Sequence, residues 1–263
     1  MDEIFYSVHR NYIFMITIIM PTYKRNNFLS DHEHPAFNLA KNKLVSKIIV
    51  VWHNISDNVP ISITNNIHEL DIFNKVEFVY PEKNSLNNRF FPYKTIKTEC
   101  IFSVDDDFVV TDKALEKCYS LWLEKQDAIV GLTPRYMNGD IGTYHGFAAR
   151  SKEPDQPYSI ILTQAAMFHK KFLKVYWSDE ENLKIMDQVF NGEDIMFNFI
   201  HNSIAKTEPM YVFDDKVHTW KKFKVNGIST SDSNHLNKRH DIFRLMQKKY
   251  GDVLITTNKK YFA

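Results

Sequence analysis

The chain has 263 residues, 44% of them hydrophobic and 14% aromatic, enough to bury the core of one large α/β domain. Lysine and arginine together number 33 and aspartate and glutamate 32, so the net charge is +1. No global field draws such a chain to nucleic acid or to an anionic membrane, and binding of an anion has to come from local arrangement.

The first predicted element is a strand over 13–20. The apolar run that contains it, YIFMITIIM at 12–20, falls far short of the roughly 20 residues of a membrane helix. Its flanks, Arg10 and Pro21-Thr22-Tyr23, make a poor signal peptide. The expectation is a soluble, cytoplasmic protein with no membrane span. A helix follows over 36–44, with Phe37, Ala40 and Leu44 on one side. KIIVVWH at 47–53 is a continuous apolar strand, 66–73 a short helix, 76–80 a third strand, 84–97 a helix and CIFSV at 100–104 a fourth strand. Unbroken Val/Ile strands separated by helices predict a parallel sheet covered on both faces. Ligands of such sheets bind beyond the carboxyl ends of the strands.

Helix 111–126 comes next, capped by Thr111 or Asp112 and apolar at Leu115, Cys118 or Tyr119, and Trp122. Cys100 and Cys118 are the only cysteines; two are too few for a disulfide framework, and both read as buried thiols. Strands are expected at 128–132, 144–149 and 158–163, helices at 164–176 and 193–205, a strand at 210–214 and a last helix at 236–250. The organisation predicted is one domain over 1–263. A nucleotide-binding half, about 12–110, and a mixed half, about 111–263, share one sheet without a linker.

Asp105, Asp106 and Asp107 follow directly on the fourth strand. Adjacent carboxylates repel and raise one another's pKa unless a cation sits among them. Alternation along an extended segment would point Asp105 and Asp107 the same way and Asp106 away. Hard oxygen ligands suit Mg²⁺ or Mn²⁺, which take one or two protein carboxylates and complete their shell with phosphate and water. Elsewhere the residues alone leave two readings open. Arg25 ends the first strand in a Lys-Arg turn that is either solvated or aimed at a pyrophosphate. Asn54 at the end of the second strand reads as a turn former and opens the sequon Asn54-Ile55-Ser56. Asn84 and Asn88 read as helix caps, with Arg89 beside them. Glu193 and Asp194 complement a helix dipole. His32 and His34 read as a solvated pair, and His169 and His218 as core or rim residues.

Several blocks resemble glycosyltransferase family 64, the exostosin-like enzymes. They are IIMPTYKR (18–25), IIVVWHN (48–54), NSLNNRFFPYKTIKTECIFSVDDD (84–107), IVGLTPR (129–135), YSIILTQAAMFHKKFL (158–173) and NGEDIMFNFI (191–200). They fall in family order across nearly the whole chain. The resemblance implies the GT-A fold, with a mostly parallel central sheet flanked by helices. It also implies retaining, metal-dependent transfer of an N-acetylhexosamine, GlcNAc or GalNAc, from a UDP-sugar to a glycan or other hydroxyl acceptor. The same machinery using UDP-galactose or GDP-mannose, and an inactive nucleotide- or sugar-binding protein, are the alternatives.

Residue by residue, the resemblance assigns Asp107 to Mn²⁺ (or Mg²⁺), Asp105 to the ribose and uracil, and Asp106 to the vicinity of the sugar. Arg25 is assigned to the diphosphate, and Asn54, Asn84, Asn88 and Arg89 to the base and ribose; a glycan on Asn54 would then block the nucleotide pocket. Glu193, Asp194 and Arg239 are assigned to catalysis: Asp194, second of the acid pair with Glu193, matches the carboxylate beneath the sugar, and Arg239 matches the arginine facing the leaving diphosphate. Secretory members carry a disulfide before the acid pair; here Gly192 and, by alignment, Ile242 stand at its two ends. The acceptor is expected to meet loops 136–157 and 215–235.

Overall fold

The computed structural model describes residues 15–25, 30–31, 33–138, 143–145, 157–219 and 231–263. Its frame is an eight-stranded sheet. The strands are β1 (Ile16–Thr22), β2 (Val45–Trp52), β3 (Val76–Val79), β4 (Cys100–Val104), β6 (Val130–Gly131), β10 (Ala165–His169), β11 (Met210–Phe213) and β13 (Lys260–Phe262). They lie in the order β13-β11-β6-β10-β4-β1-β2-β3. The pairs β1/β2, β1/β4, β2/β3, β6/β11 and β11/β13 are parallel, whereas β10 is antiparallel to both β4 and β6. Seven strands therefore share one direction, and strands from both halves of the chain join one sheet. Smaller ribbons pair β5 (Phe108–Val109) with β12 (His218–Thr219), and β7 (Pro134–Asn138) with β8 (Thr143–His145) and β9 (Ile160–Ile161).

Alternation along the strands builds two cores. Ile16, Ile18 and Met20 of β1, with Ile48, Val50 and Trp52 of β2, pack under α1 (Pro35–Lys41), α2 (Ile61–Glu69) and α3 (Asp112–Glu124). Ile19, Ile49 and Ile101 face the other way. They meet α4 (Lys171–Trp177), α5 (Glu180–Val189), α6 (Glu193–Ala205) and α7 (His235–Tyr250). Both faces are covered, as continuous Val/Ile strands require. Cys100 and Cys118 are free and buried in the first core.

The helix expected over 66–73 lies earlier, at Ile61–Glu69, and three further expectations need correction. The helix expected over 84–97 is a single 3-10 turn, Leu86–Phe90, after which Phe91 is extended (φ −66, ψ 132) because Pro92 follows. The helix expected over 164–176 is two elements, since Ala165–His169 is the antiparallel strand β10 and only Lys171–Trp177 is helical. Pairing on both edges overrides the helical propensity of that stretch. Helix α5 was not expected at all, although Asp179 caps it and Glu180 and Glu181 occupy its first turn. Of the strand expected at 144–149, residues 144–145 fall in β8 and the rest lies outside the described residues; so do residues 13–14 and His32. Among the described residues, no helix is long and apolar enough to cross a membrane.

The 3-10 turn is held from behind by rings. Phe90 is fully buried and stacks on Phe197 of α6, with centroids 4.5 Å apart and planes 2° from parallel; Tyr176 of α4 lies 4.4 Å away. Phe90→Ala is expected to remove about 3–5 kcal/mol of stability, measured as a lower denaturant midpoint at unchanged slope. A loss under about 1 kcal/mol would show that this stack does not tie the turn to α6.

Candidate active site

The site forms where the carboxyl ends of β1, β2 and β4 meet the start of α6. Beyond β1, Lys24 takes a left-handed conformation (φ 55) and its amide donates to Asn54 Oδ1 at 2.7 Å. The His53 amide donates to the Thr22 carbonyl at 3.0 Å. The two strand ends are thus laced together, and Arg25 reaches across to the tip of β4. Its Nη1 pairs with Asp106 Oδ1 and lies 3.0 Å from Asp107 Oδ2. Asn54 is buried, and its Oδ1 is engaged by the Lys24 amide.

The tip of β4 is a turn, which corrects the expected alternation. Asp105 N–H donates to the Gln164 carbonyl at 2.9 Å, and Phe108 N–H donates back to the Asp105 carbonyl at 3.1 Å. Asp106 and Asp107 therefore share Arg25, while Asp105 turns to Arg89, whose Nη2 lies 2.6 Å from Asp105 Oδ1. Arg89 is buried. It donates from Nη1 to Ser103 Oγ and to the Thr163 carbonyl, both at 3.0 Å, and its Nε lies 3.7 Å from Glu193 Oε1. One residue earlier, the Asn88 amide donates to the Lys83 carbonyl at 2.8 Å and meets His53 Nε2 at 3.1 Å.

Gly192 (φ 85) turns the chain so that Glu193 and Asp194 open α6. A side-chain carbon at Gly192 would lie 3.2 Å from Ile242 Cβ, so the two positions that the resemblance places at the ends of a disulfide face each other. One turn away from Ile242, Arg239 points Nη2 at both Asp194 oxygens, 2.9 Å from each. Asn191 Oδ1 lies 3.5 Å from Arg239 Nη1, and the Asn191 amide meets His235 Nδ1 at 2.9 Å.

Charge in this corner is unbalanced. Asp105, Asp106, Asp107, Glu193 and Asp194 are five carboxylates, held by the three guanidiniums of Arg25, Arg89 and Arg239. Burial pushes Asp106 up to about 7; the Arg25 charge opposes that shift and neighbouring Asp107 adds to it. Asp107 is raised by burial and then by Asp105. Glu193 is raised to about 7 by burial and by Asp194, against the pull of Arg89 and Arg239. Burial works against the Arg89 charge as well, but Asp105 and Glu193 outweigh it and its pKa is raised. Asp106 Oδ2 is buried and makes no hydrogen bond of ordinary geometry among the described residues, a state that polar atoms seldom keep, although the nearby Thr22 hydroxyl draws the Asp106 pKa down.

The structure thus brings together Arg25 with Asp106 and Asp107, Arg89 with Asp105 and Glu193, and Asp194 with Arg239. Asn54 and Asn88 join through the laced strand ends, and Asn84 sits on the loop leading to the 3-10 turn. Sequence reasoning missed His53, Ser103, Thr163 and Asn191, because each acts through a partner distant in the chain. It also misplaced His34, which is buried rather than solvated and takes the Ala36 amide on Nδ1 at 3.1 Å. His169 is half-buried beside Glu99, at the amino end of β4, and His218 is exposed.

The sequence matches the glycosyl transferase family 64 domain over residues 16–261. The chain belongs to that family. An exostosin-like-3 homolog of Caenorhabditis elegans is 30% identical over 89% of this chain and 27% of its own length. Human exostosin-like 2 is 28% identical over 91% of this chain and 76% of its own length. Glucosamine inositolphosphorylceramide transferase 1 of Arabidopsis thaliana is 29% identical over 80% of this chain and 27% of its own length. The family 64 chain thus spans about a quarter of the worm and plant relatives. Among solved structures, S. aureus TarS 1-349 in complex with UDP-GlcNAc superposes with a TM-score of 0.56 at 17% identity, over 89% of this chain and 66% of that one. This likeness shows a GT-A-type α/β fold, and the family marks the domain as a glycosyltransferase.

Glu193 gives this family 64 site a pH signature. Its folded pKa of about 7 stands above the ordinary 4.5. Between those values the folded chain keeps a proton that the unfolded chain has lost. Stability therefore rises as pH falls from about 7 towards 4.5, and the ionised form costs stability above 7. The stability difference between wild type and Glu193→Gln should move in favour of the wild type from pH 8 to pH 5, by up to about 1.4 kcal/mol per pH unit. Denaturant melts across that range check it, and a flat difference would contradict the assignment.

Proposed function

We propose that the domain transfers an N-acetylhexosamine, GlcNAc or GalNAc, from a UDP-sugar to an acceptor hydroxyl. We propose further that transfer retains anomeric configuration and depends on Mn²⁺ or Mg²⁺. One observation carries the reading: five carboxylates and three guanidiniums converge at the carboxyl edge of a parallel sheet, where α/β folds take nucleotides. A relative named as a transferase, the glycosyl transferase family 64 match and a fold neighbour with UDP-GlcNAc bound lend support.

The residues fit a divalent ion. At full ionisation the corner carries two more negative than positive charges, and a buried Asp106 oxygen makes no hydrogen bond of ordinary geometry among the described residues. Among those residues, no group of three or more His, Cys, Asp or Glu side chains is arranged to hold an ion by itself, so its remaining ligands would come from the donor phosphates and water. Asp107, the most exposed of the Arg25-linked pair, would hold it. The ion would supply Lewis-acid stabilisation to the departing diphosphate.

The chain's own residues do the rest. Arg25 is drawn off Asp106 and Asp107 towards the diphosphate. Arg89 holds Asp105 at the ribose, and Asn54, Asn84 and Asn88 frame the base. Arg239 fixes the rotamer of Asp194 from one side. The carboxylate is left to orient the acceptor hydroxyl and to face the positive charge that builds at the anomeric carbon, while Arg239 faces the leaving group. Glu193 steadies Arg89 from the α6 side. The free thiols Cys100 and Cys118 accord with a further proposal, that the chain works in the cytoplasm.

The test is a panel of nucleotide sugars read by UDP or GDP release, with and without Mn²⁺. The wild type should release UDP from an N-acetylhexosamine donor only with the cation. Asp107→Ala and Asp194→Ala should each lower turnover roughly 100-fold or more, with calorimetric UDP binding kept in Asp194→Ala alone. Undiminished turnover in Asp194→Ala removes the catalytic assignment and leaves the donor site standing; GDP release instead of UDP changes the donor.

A further inference from the structure

The loop that leads into the 3-10 turn is fastened by a carboxylate outside the site. Asp187, near the end of α5, takes Lys83 Nζ on Oδ2 at 2.5 Å. On Oδ1 it accepts from the Ser85 hydroxyl and from Asn87 Nδ2, the latter at 3.0 Å. With its proton given to Asp187, Ser85 Oγ accepts from Asn87 N–H at 3.2 Å and so caps the 3-10 turn. The Asn87 amide also donates to the Leu183 carbonyl at 3.0 Å, and its oxygen accepts from Tyr176 OH at 2.8 Å. Ser85 and Asn87 are 1% and 2% exposed.

Three alternate residues of one short loop are thereby fixed by a single carboxylate, which uses most of its acceptor capacity on them. Between two of them stands Asn84, whose side chain makes no hydrogen bond among the described residues. From the other side, Asn88 holds the Lys83 carbonyl at 2.8 Å. Asn84 is therefore a polar group with an immobilised backbone and an uncommitted amide, placed one turn before Arg89. An unpaired amide on a rigid rim is what recognition of a polar ligand asks for, because little freedom is lost on binding.

We propose that Asp187 is a positioning residue of the donor site: by fastening Lys83, Ser85 and Asn87 it presents the Asn84 amide between them to the nucleotide. The inference rests on the reading of this corner as a nucleotide-sugar site. It assigns a role to a helix that lies behind the site and carries none of the family motifs.

A double-mutant cycle on the full chain tests it, read by calorimetry with UDP and Mn²⁺ and by hydrogen exchange over residues 83–90 without ligand. Asp187→Ala should weaken UDP roughly tenfold, raise the donor KM similarly, leave turnover at saturating donor near wild type, and speed exchange in that segment. Added to Asn84→Ala, it should cost no more than about twofold further. Asp187→Asn keeps an acceptor for Ser85 and gives up only the pair to Lys83, which is 66% exposed; it should recover most of the affinity. Unchanged UDP affinity or unchanged exchange in Asp187→Ala overturns the inference, as does full additivity with Asn84→Ala. If the wild type itself fails to bind UDP, the donor-site reading falls and takes this inference with it; wild-type binding with an indifferent Asp187→Ala removes this inference alone.

Discussion

Arg89 is a buried cation on which four pieces of the fold converge. It belongs to the 3-10 turn, and it binds the last turn of β4 through Ser103 and Asp105, the approach to β10 through Thr163, and the start of α6 through Glu193. Removing one partner from such a buried charge costs about 3–5 kcal/mol, so these segments cannot drift independently. The carboxylates at the tip of β4 and at the head of α6 are held at one spacing by a single guanidinium. Arg25 and Arg239 repeat the device on either side, each bound to a carboxylate of its own.

This arrangement is poor for stability and good for chemistry. Burial raises Asp106, Asp107 and Glu193 above the ordinary carboxylate range, so ionising them costs folding free energy. A chain under selection for stability alone would replace such groups by apolar ones at little loss. The cost is concentrated at the edge where α/β sheets meet nucleotides, and two well-packed apolar cores on the faces of the sheet offset it. Active sites are where such shifted groups gather.

Much of this was legible in the sequence because it depends on local pattern. Continuous Val/Ile strands announced β1, β2 and β4, the 193–205 helix has the expected bounds, and the acidic triplet stands at the carboxyl end of β4 as the pattern required. What failed depended on distant partners. The stretch Ala165–His169 is helix-prone by itself and becomes a strand only because β4 and β6 flank it. Asn87, Asn88 and Arg89 direct their side chains into tertiary contacts, so a full helix does not form there. The triplet was read as extended, but the Gln164 carbonyl and the Phe108 amide close it into a turn. His34 looked like a solvated loop residue because nothing nearby in sequence shows what covers it.

The central claim is that the surplus negative charge at the β4 tip is completed by one divalent ion together with a nucleotide diphosphate. Titration of Mn²⁺ followed by the electron paramagnetic resonance of the free ion tests it directly. The account predicts weak uptake by the protein alone and uptake of about one ion per chain once UDP is present, beyond what UDP takes up by itself. A free-ion signal indifferent to the protein in the presence of UDP would contradict it.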